Sequence, residues 1–440
     1  MTSPMGLTGQ APVLAGLIQR DIPPIELLRV RRTQRPAVEP LDAGAAVSAA
    51  LQPLLASLRP GARIALGVGS RGIAGLAEVV TACVATLRAA GAQPFIVPAM
   101  GSHGGATGQG QEHILRELGV TQQTVGAPVM ASMDTVCVGS LEPGLDVFID
   151  RHAWAADAIF VINRVKSHTS FTGVIESGLA KMLAIGLGKQ RGAEELHRLG
   201  PLHLEHRIRR VARHLVDNLP VLGGLALVED GAKNLRLVQY VAPKDIGETG
   251  EAALLSQAKQ LEARLPVSLI DVLIVDAIGK DRSGTGMDTN VIGRRMVRGS
   301  PEPTHPVITN VVALSLTAGS GGNAIGLGLA DFVPQRLMAD VDLTATYANA
   351  LTAGLQGVQR AQIPITLATD RDAVAAAILT AGTVDPSQAR VVRIRDTLRL
   401  EELMVTRSLL DECEHAGYTP APQPAGPAPL FDPDGRITRW

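Results

Sequence analysis

Cysteine is scarce: three in 440 residues, Cys83, Cys137 and Cys413, far apart and in no metal-type pair. That argues against a zinc ribbon, an iron–sulfur cluster or a disulfide scaffold, and suits a reducing cytoplasm. Aromatic residues make up only 2% of the chain, too few for a site built on stacked rings of the kind that binds single strands. A formal net charge of −1 supplies no general attraction to nucleic acid or to a membrane surface. No apolar stretch reaches about 18 residues without a charge or a break, so no membrane span is expected. The opening MTSPMGLTGQ lacks the basic start and apolar run of a signal peptide, and a cytoplasmic protein is expected. The chain has neither a Walker A loop nor a full dinucleotide fingerprint, and no repeat of short period.

What remains is a globular composition, 46% hydrophobic and 19% charged, in a chain long enough for two domains. Residues 1–60 read as an irregular lead-in with an Ala/Leu-rich helix from Leu41, broken or kinked at Pro53. IALGVGSR (64–71) and PFIVPAMGSHGG (94–105) are each a short apolar strand running into a glycine turn and then a helix. Strand, glycine turn, helix, strand is the pattern of an α/β fold with a parallel sheet. The strand 158–163, a basic helix from His203, the strand 221–231 and a charged helix, Glu251–Arg264, follow. The strand pattern restarts at 267, which places a domain boundary near 262–268. Residues 1–264 are therefore expected to form the cofactor-binding and catalytic domain, and 265–415 a second α/β domain. The second holds strands at 305–316, 365 onward and 389–397 and a helix over Leu400–Glu414. The proline-rich residues 416–440 are expected to be an extended tail.

Ligands gather at the carboxyl ends of strands in such sheets, where Ser70, Arg71, Ser102 and His103 would sit. His103, in MGSHGGAT, is either a general acid or base or a turn histidine bonded to its own backbone. His168, in KSHTSFTG, carries the same two readings. Together the pair offers proton carriers for the two faces of one substrate. Lys181, in GLAKMLAIGLG, is either a snorkelling helix-end amine or a desolvated nucleophile. His197 lies in a helical run, and His203 and His206 follow it, so a hydrolytic zinc site is open by count. The glycine turns 67–72 and 101–105 are candidate phosphate cradles.

Taken together, these residues resemble the nickel-pincer lactate racemase family over most of the chain. The resemblance puts the two catalytic histidines on His103 and His168, the covalent cofactor lysine on Lys181 and the nickel ligand on His197. Arg71 matches the arginine of the family's Asp-x-Thr-Arg turn, with Ser70 beside it in the cofactor site. The resemblance implies two α/β domains, each with a largely parallel sheet flanked by helices, and an active site in the cleft between them. It implies a nickel-pincer nucleotide, the pyridinium-3-thioamide-5-thiocarboxylate mononucleotide, bound covalently at Lys181 and holding Ni(II). Cofactor-biosynthesis enzymes are then partners. The implied reaction is racemisation or epimerisation of a 2-hydroxy acid by hydride abstraction and return, with the paired histidines as acid and base. Arg71 and Lys280 are natural partners for the substrate carboxylate.

The chain departs from the family at three points, one of them a stretch from His168 to Lys181 a few residues longer than the family's. Val68 stands where the turn has its aspartate, and Gly178-Leu-Ala replaces glycine-glycine-arginine before Lys181. In the second domain GKDRSGTGMDTNVIGR (279–294) resembles a subgroup of homologues. There Lys280, Ser283 and Asp288, with Asp281, Asn290 and Arg294, suit a substrate more polar than lactate, or else form a salt-bridged loop. Two other functions stay open: a metal hydrolase on His197, His203 and His206, and a non-catalytic paralogue that binds a nucleotide or hydroxy acid.

Overall fold

The strand RIALGV, Arg63–Val68, buries five consecutive residues after an exposed arginine. A run that apolar belongs to a strand covered on both faces. In the computed structural model, which describes residues 22–33, 41–69, 72–198, 200–422, 430–438 and 440, this strand is β2, central in a sheet of five. The chain divides into two units, Val38–Glu262 and the remainder, 1–37 with 263–440.

In the Val38–Glu262 unit the sheet order is β3-β2-β6-β7-β8, with β3 Gln93–Pro98, β6 Ala158–Arg164, β7 Val221–Glu229 and β8 Leu235–Val241. β3, β2, β6 and β7 run parallel, and β8 returns antiparallel beside β7. Successive side chains point to opposite faces. Ile64, Leu66 and Val68 of β2 and Phe160 and Ile162 of β6 join Leu51, Val80 and Leu87 in one core. That core lies under helices α1, Ala43–Leu55, and α2, Leu76–Ala89. Ala65, Ile159 and Val161 face the other core, with Leu179, Leu183, Ile208, Val211 and Leu215. A bulged antiparallel pair, β4 Thr135–Glu142 and β5 Leu145–Asp150, packs Leu145, Val147 and Ile149 into that second core. Further helices are α3 Gly108–Glu117, α4 Lys189–Arg198, α5 Leu204–Asn218 and α6 Thr249–Leu261.

The other unit holds an eight-stranded sheet, β12-β11-β10-β9-β13-β14-β1-β15. Its strands are β1 Leu28–Arg32, β9 Leu269–Val275, β10 Val307–Ala313, β11 Phe332–Pro334, β12 Ile365–Leu367, β13 Val391–Ile394, β14 Glu402–Val405 and β15 Tyr418–Pro420. The five from β12 to β13 are parallel, and β14, β1 and β15 add antiparallel. Helix α7, Asp370–Leu379, is started by a capping box of Thr369 and Asp372 and buries Ala373, Val374, Ala377 and Ile378 against β9 and β10.

The fold class is therefore α/β, with two mostly parallel sheets flanked by helices. Three local expectations are corrected. The lead-in placed with residues 1–264 supplies β1 to the eight-stranded sheet. Its sequence, LRVRR, buries one residue fully, Val30, so no apolar run announced it. The helix expected over Leu400–Glu414 is strand β14 followed by a helix only at Leu410–His415. At the start of the expected extended tail, Tyr418–Pro420 is a paired strand; residues 423–429 lie outside the described residues. No helix among the described residues is long and apolar enough to cross a membrane.

Candidate functional site on the carboxyl edge of the five-stranded sheet

The turns after β2, β3 and β6 leave one edge of the sheet, because those strands are parallel. β3 leads to His103 and β6 to His168, with β2 between them. Their carboxyl ends start two strand spacings apart, roughly 10 Å. Residues 178–189 lie across the same edge. The Gly101 amide donates to the Gly186 carbonyl at 3.1 Å, and Asn163 Nδ2 donates to the Gly178 carbonyl at 3.0 Å. The Met182 thioether lies 3.5 Å from where a Cβ on Gly69 would stand. The segment carrying Lys181 thus packs against the ends of β3, β2 and β6. Ser70 and Arg71, which follow β2, lie outside the described residues.

His103 is exposed and precedes a tight turn, Gly104–Ala106. A Cβ on Gly104 would stand 2.5 Å from the Gly110 carbonyl carbon. A Cβ on Gly110 would stand closer still to the Gly104 oxygen, so only glycine lets this turn sit on the start of α3. Gln111, in the first turn of α3 and fully buried, donates through Nε2 to the carbonyls of Gly101 at 2.8 Å and His103 at 3.3 Å.

His168 sits in a loop closed at its base by paired amide bonds between Lys166 and Ser177. Its ring stacks on Phe171, with centroids 4.2 Å apart. Nδ1 accepts from the Ser170 amide at 3.1 Å, so the neutral ring carries its hydrogen on Nε2. The His168 amide donates to Glu176 Oε2 at 2.6 Å, and Lys259 Nζ holds Glu176 Oε1 at 2.6 Å. The Ser167 amide donates to Glu262 Oε1 at 2.7 Å.

Lys181 ends a short helical turn, Leu179–Lys181, that continues as a π-helical turn, Met182–Gly186. Such turns recur at functional sites. The start of the segment is held by Glu251, whose buried carboxylate accepts from the Ala180 amide at 3.2 Å and the Gly247 amide at 2.8 Å. Burial pushes the Glu251 carboxyl above its ordinary range, against the pull of those amides.

His197 lies on α4, with part of its surface open to solvent. Its Nδ1 stands 2.6 Å from the Ala193 carbonyl. A carbonyl only accepts, so Nδ1 carries the hydrogen and the lone pair is on Nε2. The protein packed around the ring pushes its pKa below the usual value, and the charges of Lys181 and Arg207 push it further; the Ala193 bond opposes them. The side chains of Lys181 and His197 are thus near enough to interact electrostatically.

The remaining expected residues lie on other elements and loops. Among the described residues no three His, Cys, Asp or Glu side chains gather to hold a metal, so His197, His203 and His206 form no three-ligand site. Lys280, Ser283 and Asp288 belong to the other unit. There Lys280 Nζ donates to Asn349 at 2.6 Å, Ser283 pairs with Thr285 at 3.0 Å, and Asp288 accepts from the Asn290 amide at 2.9 Å. Arg294 binds Asp331 at 2.6 Å.

Sequence reasoning missed the supports. Glu176, Glu251, Gln111, Lys189 and Asp150 are each no more than 2% exposed. In the sequence they read as ordinary polar positions, and only their tertiary partners reveal them.

The fold and this edge define a class: α/β proteins that gather basic and imidazole groups on the carboxyl ends of a parallel sheet. Residues 16–208 match the family model described as the lactate racemase N-terminal domain. That stretch contains His103, His168, Lys181 and His197. No curated protein matches it. Among solved structures, a structural-genomics crystal structure of a Thermotoga maritima protein is similar at 12% identity and a TM-score of 0.43. That likeness covers 80% of this chain and 94% of the other.

Proposed function

We propose that the chain is an isomerase that inverts the α-carbon of a 2-hydroxy acid with the help of a nickel-pincer nucleotide. The observation that carries the reading is the packing of the Lys181 segment across the ends of β3, β2 and β6, between the strands that deliver His103 and His168. Lys181 would tether the nucleotide and His197 would ligate nickel. The donor chemistry fits: His197 is held as the tautomer with its lone pair on Nε2, and its lowered pKa keeps it neutral at neutral pH. One protein ligand suffices when the organic group supplies the others. When bound, that cofactor supplies a hydride acceptor.

The protein's own part is to orient the substrate and move a proton at its hydroxyl oxygen. Inversion presents that hydroxyl to opposite sides in turn, which needs two proton carriers. His103 and His168, leaving strands on either side of β2, meet that need. Arg71 would hold the carboxylate, since a fixed cation both binds and orients it.

Intact mass spectrometry of protein co-expressed with the cofactor-making enzymes is expected to show an adduct that Lys181→Ala abolishes. The same mass shift in both proteins, or in neither, would refute the tether. With loaded protein, a panel of 2-hydroxy acids is expected to yield inversion with the α-hydrogen retained in deuterated water, because the hydrogen moves as hydride. Wash-in of solvent deuterium at each turnover would argue for proton abstraction instead.

A further inference from the structure

Lys189 takes no part in the chemistry described above, yet it is fully buried. It also holds φ at 55°, a left-handed conformation uncommon for a residue with a side chain. A buried ammonium in such a backbone persists only where its surroundings hold it in place. Three groups do so. Nζ donates to the Pro98 carbonyl at 2.5 Å and to Gln111 Oε1 at 2.9 Å, and lies 3.3 Å from Asp150 Oδ2.

Each partner leads to a different part of the site. Pro98 is the last residue of β3, five positions before His103. Gln111 turns its other end to the carbonyls of Gly101 and His103. Asp150 caps the turn after β5 through Oδ1, and its amide donates to Leu187, in the segment that follows Lys181. Lys189 itself is the first residue of α4, whose third turn carries His197. The ammonium is therefore the point where the His103 turn, the Lys181 segment and the His197 helix meet.

The geometry points to Lys189 as a positioning residue that, through Gln111, fixes the His103 turn relative to the helix bearing His197. The inference rests on the proposed roles of His103 and His197. Burial lowers the Lys189 pKa and Asp150 opposes that shift, so the nearby Asp150 charge favours the ammonium that donates to Pro98 and Gln111.

Gln111→Glu separates positioning from folding. The carboxylate keeps the size of glutamine and pairs with Lys189, but it sets an acceptor against the carbonyls of Gly101 and His103. Lys189→Met removes the hub itself, and Gln111→Glu carries the test if that variant does not fold. In the unloaded Gln111→Glu protein, amide exchange at Gly101 and His103 is expected to accelerate about tenfold or more, with the rest of the sheet unchanged. In the loaded enzyme kcat is expected to fall about tenfold or more at nearly constant KM, as expected for a misplaced proton carrier. Unchanged exchange in folded Gln111→Glu protein overturns the proposal. So does faster exchange with unchanged kcat while His103→Ala is inactive. If His103→Ala stays active, the catalytic reading of His103 fails, and the exchange result still decides whether Lys189 and Gln111 fix the turn.

Discussion

Removing the Glu251 carboxylate tests whether the Lys181 segment is held by a buried charge. Glu251 is 1% exposed and accepts from the amides of Gly247 and Ala180. Glu251→Leu leaves both donors buried without an acceptor, at about 1–3 kcal/mol each. The desolvation borne by the wild-type carboxylate disappears and offsets part of that. The expected net loss at neutral pH is about 3 kcal/mol, read from urea denaturation. The titration supplies a second measurement. Burial raises the carboxyl above its ordinary value of 4.5, so the native protein holds this proton more tightly than the unfolded chain. The resulting stability is fully present below pH 4.5 and is lost as pH rises through the folded-state value. Glu251→Gln does not titrate, so wild type minus variant is expected to fall across that window. A Glu251→Leu protein as stable as wild type, or a Glu251→Gln difference that is flat with pH, would refute the reasoning.

The His197 shift has the opposite consequence. Its folded pKa lies below 6.5, so as pH falls the unfolded chain protonates first and stability drops. Denaturation midpoints at about pH 7.5 and about pH 5.5 are expected to differ less in His197→Gln than in wild type, and equal differences would count against the assignment. Gly186→Ala places a methyl 2.8 Å from the Ala99 carbonyl oxygen. It is expected to cost about 1–3 kcal/mol in a urea titration and to speed amide exchange at Gly101, whose acceptor is Gly186 itself. Leu255→Ala, in the buried stripe of α6, is expected to cost about 2–4 kcal/mol. It is also expected to speed exchange at both Ala180 and His168, and an effect at only one would show that α6 does not support them jointly.

The elements that carry the site were legible in the sequence for a physical reason. β2, β3, β6 and β7 are apolar runs ending at glycine turns or polar residues, and a strand buried on both faces must look like that. The positions of His103 and His168 followed, because parallel strands send their turns to one edge. β1 and β14 were not legible, since LRVRR has only two apolar residues among five and ELMV is only four residues long. They are strands because neighbours pair with them, and pairing is tertiary information. The same holds for the anchors: nothing local marks Glu251 or Lys189 as buried, since a charged side chain enters a core only where partners from distant segments meet it.

Those anchors fall into a pattern that explains how an open edge can be held in one shape. His103 and His197 are exposed and His168 half-buried, as groups that exchange protons or bind ligands must be. Such side chains cannot fix their own turns by packing. Helix α6 does it for the His168 loop and for the segment that carries Lys181. Leu254 and Leu255 dock it by apolar contact, while Glu251 in its first turn grips the start of the Lys181 segment. Lys259, through Glu176, and Glu262 grip the His168 loop. From Glu251 to Glu262 a helix rises about 16 Å, so one rod holds two consecutive turns, 166–177 and 178–181, at separate points. Lys189 and Gln111 serve the third turn in the same way, without a helix. In each case a buried charge meets backbone amides or carbonyls, an interaction whose loss leaves unpaired polar groups in the core. That penalty gives the edge its rigidity, and it places the residues most sensitive to substitution one layer beneath those proposed to do the chemistry.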